Sequence, residues 1–328
     1  MKSYADAHCD TVVKAMEAGE NMLEFSGQLN LEKLAVYGSA VQIFAIWLEP
    51  KYYSIAMRQT VKYLDYYLEQ MERYKDRVGM VKRFLDILEN KKQGRLSAIL
   101  SLEGGEALEG EIAALRMYHR LGVRLMTLTW NHRNALADGV AERCTGGGLT
   151  TFGKAVVKEM ERLGMLVDVS HLTDAGFYDV AKMAEQPFVA SHSNARAICP
   201  HPRNLTDDQL KIIGEMDGFV GLNFFPPFVG EKDTVTQDDL LRQLTHMLDM
   251  AGEDAVGLGS DFDGIDVTPT DLRAVEDMAL FLEKNPDVKP DDIPFSGTDG
   301  TGIWEPSGGK NTREKFPAGG RNGMEIRR

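Results

Sequence analysis

The chain has few cysteines, only Cys9, Cys144 and Cys199 among 328 residues. Three scattered thiols cannot form a disulfide framework, so the fold must rest on its own apolar core. No apolar run is long enough to span a bilayer, which sets aside a membrane-embedded protein. The opening residues, MKSYADAHCDT, lack the apolar stretch and small-residue cleavage site of a secretory leader. With so few cysteines, the cytoplasm is the expected compartment. Basic charge is in deficit too: 37 Lys and Arg stand against 50 Asp and Glu, a formal net charge of -13. An acidic surface without a basic cluster repels phosphate backbones, so nucleic acid is not an expected partner. No Gly-x-Gly-x-x-Gly follows the first predicted strand, which removes support for a dinucleotide fold. No segment repeats internally.

What is present is an alternation of two patterns. Short apolar runs occur at Tyr4–Ala7, Ala40–Leu48, Leu96–Leu102, Arg124–Thr129, Leu166–Val169, Phe188–Ala190, Phe219–Phe224 and Ala255–Gly259. Several, such as VQIFAIWL and FVGLNFF, are apolar on both faces, as parallel strands covered by helices must be. Helical periodicity fills the gaps at Thr60–Tyr74, Phe84–Lys92, Ile112–Leu121, Thr151–Leu163, Asp174–Ala184, Thr206–Ile213, Thr236–Met250 and Asp271–Glu283. Thr151 is a candidate cap for its helix. About eight strand–helix units in one domain predict an α/β fold, a (β/α)8 TIM-like barrel of the metal-dependent hydrolase type. A doubly wound open sheet is the competing architecture. The barrel is expected over residues 1–285. Residues 286–328 are rich in Gly, Pro and charge, with Trp304 and Phe316 as large aromatics. They are expected to form an irregular, dispensable tail.

Chemistry is concentrated where the apolar runs end. His8 and Asp10 flank Cys9, and on a strand i and i+2 share a face. Taken alone, this His-x-Asp is equally a surface turn. Glu103 closes AILSLE ahead of a Gly-Gly turn, a placement that a helix N-terminal charge would also explain. His171 closes LVDVSH, His192 closes FVASH and Asp261 closes VGLGSD. The recurrence across five strands is the argument. Barrel active sites form at the C-terminal face of the strands, so these side chains should converge on one mouth. Buried unpaired charge there would be costly, and metal ions are the natural partner. Imidazole and carboxylate without thiolate suit zinc, with Mn, Co and Fe as alternatives. Three imidazoles and two carboxylates exceed what one catalytic zinc uses, whereas two ions would use them all. Cys9 should face away by strand alternation.

The segments DAHCDT, SLEGGEAL, GLTTFGKAVVKEMERLGMLVDVSHLTD, VASHSNARAICPHPRNLTDDQL and VGLGSDFDG are collinear over residues 5–284. Together they resemble the membrane (renal) dipeptidase family, the M19 metallopeptidases. The resemblance implies a binuclear zinc barrel that hydrolyses dipeptides with a metal-bridging hydroxide, tolerating a D-residue at the C-terminal position. By motif, His8 and Asp10 would bind the first zinc, Glu103 would bridge, and His171 and His192 would bind the second. Asp261 would handle the proton, and Arg203 would grip the substrate carboxylate, a pairing an Arg fork suits.

The sequence departs from the family in two places. Relatives carry a substrate-binding His after the Leu-Thr of the fourth strand, where this chain has Trp130. His132 either substitutes for that residue or is a solvated loop residue. A further C-terminal helix of the family is replaced by the Gly/Pro-rich tail. The expected partners are small dipeptides, with a homodimer left open. Two alternatives stand beside this reading. One is a hydrolase of other amides, lactams or N-acyl amino acids on the same barrel; the other is a metal-binding barrel without turnover.

Overall fold

The computed structural model describes residues 3–230 and 234–284. Nine parallel strands appear among the described residues: β1 (Ser3–Cys9), β2 (Ser39–Trp47), β3 (Val78–Met80), β4 (Leu96–Glu103), β5 (Val123–Thr127), β6 (Leu166–Asp168), β7 (Val189–Ala190), β8 (Phe219–Leu222) and β9 (Val256–Leu258). They run in the order β2-β1-β9-β8-β7-β6-β5-β4, and β4 pairs back onto β2 from Val41↔Ser97 to Trp47↔Glu103. That pairing closes an eight-stranded barrel, and an open sheet is ruled out. β3 stands outside the ring. It pairs with the lower end of β4, Val78↔Leu96 to Met80↔Ala98, on the edge that β5 takes from Leu100 upward. Its sequence, VGM, is too short to show a period, and it is the one strand the sequence does not disclose.

The barrel interior is layered. Ala7, Ile43, Ile99, Leu125, Leu166, Val189 and Phe219, one from each of seven strands, form an apolar plug at the bottom. Fully burying such a side chain is worth about 1.5–3 kcal/mol. One residue pair higher, the inward positions are the buried polar side chains of Ser101, Thr127, Asp168 and Ser191. The mouth lies above them. At Gly259 an added Cβ would stand 1.9 Å from the Ser191 carbonyl oxygen, so only glycine lets β9 pass this close to its neighbours. A larger apolar shell joins the outer strand faces to the surrounding helices.

Helix starts follow side-chain capping. Thr150, not Thr151, caps the Thr151–Leu163 helix by accepting from the Gly153 N–H at 2.9 Å. Thr206 and Gln209 form a capping box for Asp207–Glu215. The expected helix Asp271–Glu283 is shorter than its periodicity suggests. The Asp277 carboxylate accepts from the backbone N–H groups of Arg273 and Ala274, holding those residues in a turn. Regular helix therefore begins only at Met278 and runs to Lys284. Its apolar positions Leu272, Val275 and Leu282 are nonetheless buried. The expected tail, with Trp304 and Phe316, lies outside the described residues.

Candidate metal centre and active site

The residues that end the strands meet in the mouth, by a route more particular than strand alternation. The β1 register shifts between Asp6 and Cys9. Ala7 therefore packs in the inner plug, His8 beside it enters the mouth, and Cys9 joins the outer core. Asp10 lies past the strand at the start of the helix Thr11–Ala18, with φ -101° and ψ 15°. The two side chains still converge, His8 Nε2 lying 3.5 Å from Asp10 Oδ2. On the far side, His171 and Asp261 sit beyond the ends of β6 and β9 with left-handed backbones, φ 71° and 65°. A non-glycine residue held there costs on the order of 1–3 kcal/mol, strain that collects at functional sites. Here it turns both side chains back over the barrel axis.

Glu103, the last residue of β4, stands at the centre. Its Oε2 lies 3.5 Å from His8 Nε2, and its Oε1 lies 3.0 Å from His171 Nε2 and 3.6 Å from His192 Nε2. One carboxylate thus faces two nitrogen-rich half-sites with separate oxygens. Three groups have ligating atoms within 4.8 Å of one another: His8–Asp10–Glu103, Glu103–His171–His192 and His8–His192–Asp261. All these residues except Asp261 are buried, and Asp261 is nearly so.

The hydrogen bonds beneath the site fix which ring nitrogens are free. Ser191 Oγ donates to Asp168 Oδ2 at 2.6 Å, so it accepts from His192 Nδ1 at 2.7 Å. Asn131 Oδ1 accepts from His171 Nδ1 at 2.8 Å. Both Nε2 atoms are left as lone-pair acceptors, yet they lie 2.8 Å apart. Two lone pairs aimed at each other are repulsive, and a shared cation removes the conflict. His8 Nδ1, His8 Nε2 and Asp10 Oδ1 are also buried without hydrogen-bond partners. These donors fit metal ions, with carboxylate and imidazole as their ligand types.

The electrostatics agree. Burial pushes the Glu103 carboxyl up to about 7, with Asp10 and Asp261 adding to the rise. Burial also raises Asp261. Burial alone would lower His8, but Glu103 and Asp10 outweigh it and hold the imidazole well above its ordinary value. His171 and His192 go the other way, lowered by burial and by nearby positive charge. Buried carboxylates around one point require positive charge among them.

Arg203 is buried at the edge of the mouth. It donates from Nη2 to the His192 carbonyl at 3.3 Å and from Nη1 to Ser193 Oγ at 3.5 Å, both long contacts. Its Nε has no partner, and burial lowers its pKa to about 10. The fork is thus a desolvated cation with donors to spare. Trp130 is half-buried, its ring centroid 5.2 Å from Trp47 and 6.3 Å from His171. His132 is exposed, edge-on to Trp130 at 5.8 Å. Trp130 thus stands beside the His171 side of the cluster, with His132 next to it at the exposed rim.

Several supporting residues escaped the reading of the sequence. Asn223 Nδ2 donates to Asp261 Oδ2 at 2.9 Å. Asp168 collects the Thr127 hydroxyl, the Ser191 hydroxyl and two backbone N–H groups beneath His192. Both stand out as lone polar residues inside the apolar runs FVGLNFF and LVDV, and that was their signal. Gly264, in the SDFDG stretch, admits no side chain, because a Cβ would fall 2.2 Å from Asp10 Oδ2 and 2.5 Å from Asp261 Oδ1.

Comparison with known proteins matches this architecture. The dipeptidase aclJ of Aspergillus oryzae is 33% identical over 264 residues, which is 77% of this chain and 63% of that protein. This chain thus spans less than two thirds of that relative's length. A metallo peptidase from Rhodobacter sphaeroides, solved with a phosphinate mimic of the dipeptide L-Ala-D-Ala, superposes with a TM-score of 0.81. It is 26% identical, over 89% of this chain and 97% of that one. The dipeptidase AC, a family M19 metallo peptidase, superposes equally well at 0.81 with 27% identity, over 89% and 96% of the two chains. Residues 2–284 match the membrane dipeptidase family as a whole, and the chain belongs to that family, peptidase family M19.

Proposed function

We propose that the protein is a metallo-dipeptidase that hydrolyses dipeptides, including those with a D-residue at the C-terminal position, with two zinc ions held by His8, Asp10, Glu103, His171 and His192. The observation that carries this reading is Glu103, whose two oxygens face two separate imidazole sets. Such ions lower the pKa of water and polarise a scissile carbonyl. The chain's own residues supply the rest. Arg203 holds the substrate carboxylate through its guanidinium fork, which limits the site to short substrates with a free C-terminus. Asp261, steadied by Asn223, takes the proton of the attacking water and returns it to the leaving amine nitrogen. Trp130 and Trp47 wall the site against bulk water, and His132 contacts the outer part of the substrate. The cysteines of the described residues, Cys9, Cys144 and Cys199, are all free thiols, which suits work in the reducing cytoplasm. Among the described residues, no helix is long and apolar enough to cross a membrane.

The test is kinetics of the metal-loaded protein on L,L- and L,D-dipeptides and on their C-terminal amides. Free dipeptides should be hydrolysed and the amides should be poor substrates. Arg203→Ala should raise KM for free dipeptides more than it lowers kcat, because the clamp holds ground state and transition state alike. Amides turned over as fast as the free acids would contradict the clamp.

A further inference from the structure

Four polar atoms with no hydrogen-bond partner are buried at the top of β2, β4 and β5: Trp47 Nε1, Tyr53 Oη, Glu106 Oε1 and Thr129 Oγ1. They belong to one wall. Trp47 pairs with Glu103 in the barrel register. Glu106 stands in the 3-10 turn Gly105–Leu108, directly after that strand. Gly104, at φ +99°, is what lets Glu106 fold back, since a Cβ at Gly104 would fall 2.2 Å from Glu106 Oε2. That same Cβ would lie 3.7 Å from the Trp130 backbone nitrogen. Tyr53 is near enough to Glu106 and Glu103 that, after burial, both carboxylates push its phenol up. Trp47, Tyr53, Glu106 and Trp130 are each only half-buried, so the wall borders open space.

The place of this wall in the barrel gives it a direction. Around the ring, β4 lies opposite β8. Arg203 contacts His192 and Ser193 after β7, and its guanidinium lies 5.5 Å from the ring of Phe228, which follows β8. A dipeptide with its carboxylate on Arg203 and its peptide bond over Glu103 therefore extends its first residue toward Glu106. A buried, unpartnered carboxylate oxygen on a wall that also carries two indoles recognises a cation, through a charge-assisted hydrogen bond and cation–π attraction. The geometry points to a subsite, formed by Glu106, Tyr53, Trp47 and Trp130, that binds an ammonium or guanidinium group on the first residue of the substrate. This inference rests on the dipeptidase reading.

The experiment compares kcat/KM for L-lysyl-L-alanine, L-norleucyl-L-alanine and hexanoyl-L-alanine in the metal-loaded protein and in Glu106→Gln. The first pair differs in the ε-amine, and the second in the α-amine. A ratio for one of these pairs of about 10 or more in the unmutated protein, falling toward unity in Glu106→Gln, is expected. A collapse of the lysyl-to-norleucyl ratio assigns the cation to the side chain. A collapse of the norleucyl-to-hexanoyl ratio assigns it to the α-amine. Should Glu106→Gln fail to fold, Tyr53→Phe should lower the same ratio. Brisk dipeptide turnover with both ratios within about threefold of the unmutated values overturns the subsite and leaves the dipeptidase standing. No turnover of any dipeptide by the metal-loaded protein removes both.

Discussion

Glu103→Gln should abolish dipeptide hydrolysis more completely than any other single conservative change, by about 10³-fold or more. The reason is the division of its carboxylate, with Oε2 toward His8 and Oε1 toward His171 and His192. A Gln of the same shape keeps one oxygen, but its amide nitrogen has no lone pair to offer. One half-site therefore loses its shared ligand while the buried Asp10 and imidazoles stay in place. Several kcal/mol of transition-state stabilisation come from metal ions in such sites, at about 1.4 kcal/mol per decade of rate. The variant should also bind less metal, which elemental analysis reads independently of turnover. Near-normal rates in Glu103→Gln would remove the bridging role.

Asp261→Asn should behave differently, keeping the metal and losing about 10²–10⁴-fold in kcat, the usual worth of a positioned proton carrier. The Asn223 amide that donates to Asp261 Oδ2 can donate equally to an Asn oxygen, so the loop should keep its place. The substitution removes proton acceptance and little else. The geometry makes the alternative outcome informative. Asp261 Oδ1 lies 3.8 Å from His8 Nε2, within the group that includes His192. Loss of metal together with activity would make Asp261 a ligand and return the proton transfer to another group.

The barrel was legible in the sequence because parallel strands covered on both faces read as apolar runs, and eight of the nine strands announced themselves that way. β3 did not, since three residues carry no period. The helix Thr151–Leu163 kept its expected bounds, with its cap one residue earlier at Thr150, whereas the last helix starts late because the Asp277 carboxylate satisfies the backbone first. The side chains that converge in the mouth were visible as acidic and imidazole groups closing apolar runs. The means of convergence was not. A register shift places His8, and left-handed backbones place His171 and Asp261. Neither is encoded in spacing, because backbone partners on distant segments accompany both: the His171 carbonyl accepts from the Val140 N–H, and the Asp261 N–H donates to the His8 carbonyl. The layer beneath the ligands was hidden for a similar reason. A Ser next to a His, or an Asp within an apolar run, gains its meaning from a partner on another strand, as Ser191 does from Asp168.

The central claim is a two-ion hydrolytic centre in this mouth. It is tested most directly by adding zinc stepwise to metal-stripped protein while measuring bound metal and dipeptide turnover in the same samples. Activity should climb until about two ions are bound per chain and then level off, because the five converging donors form two half-sites around Glu103. Full activity reached with a single bound ion, or two bound ions with no turnover of any dipeptide, would contradict it.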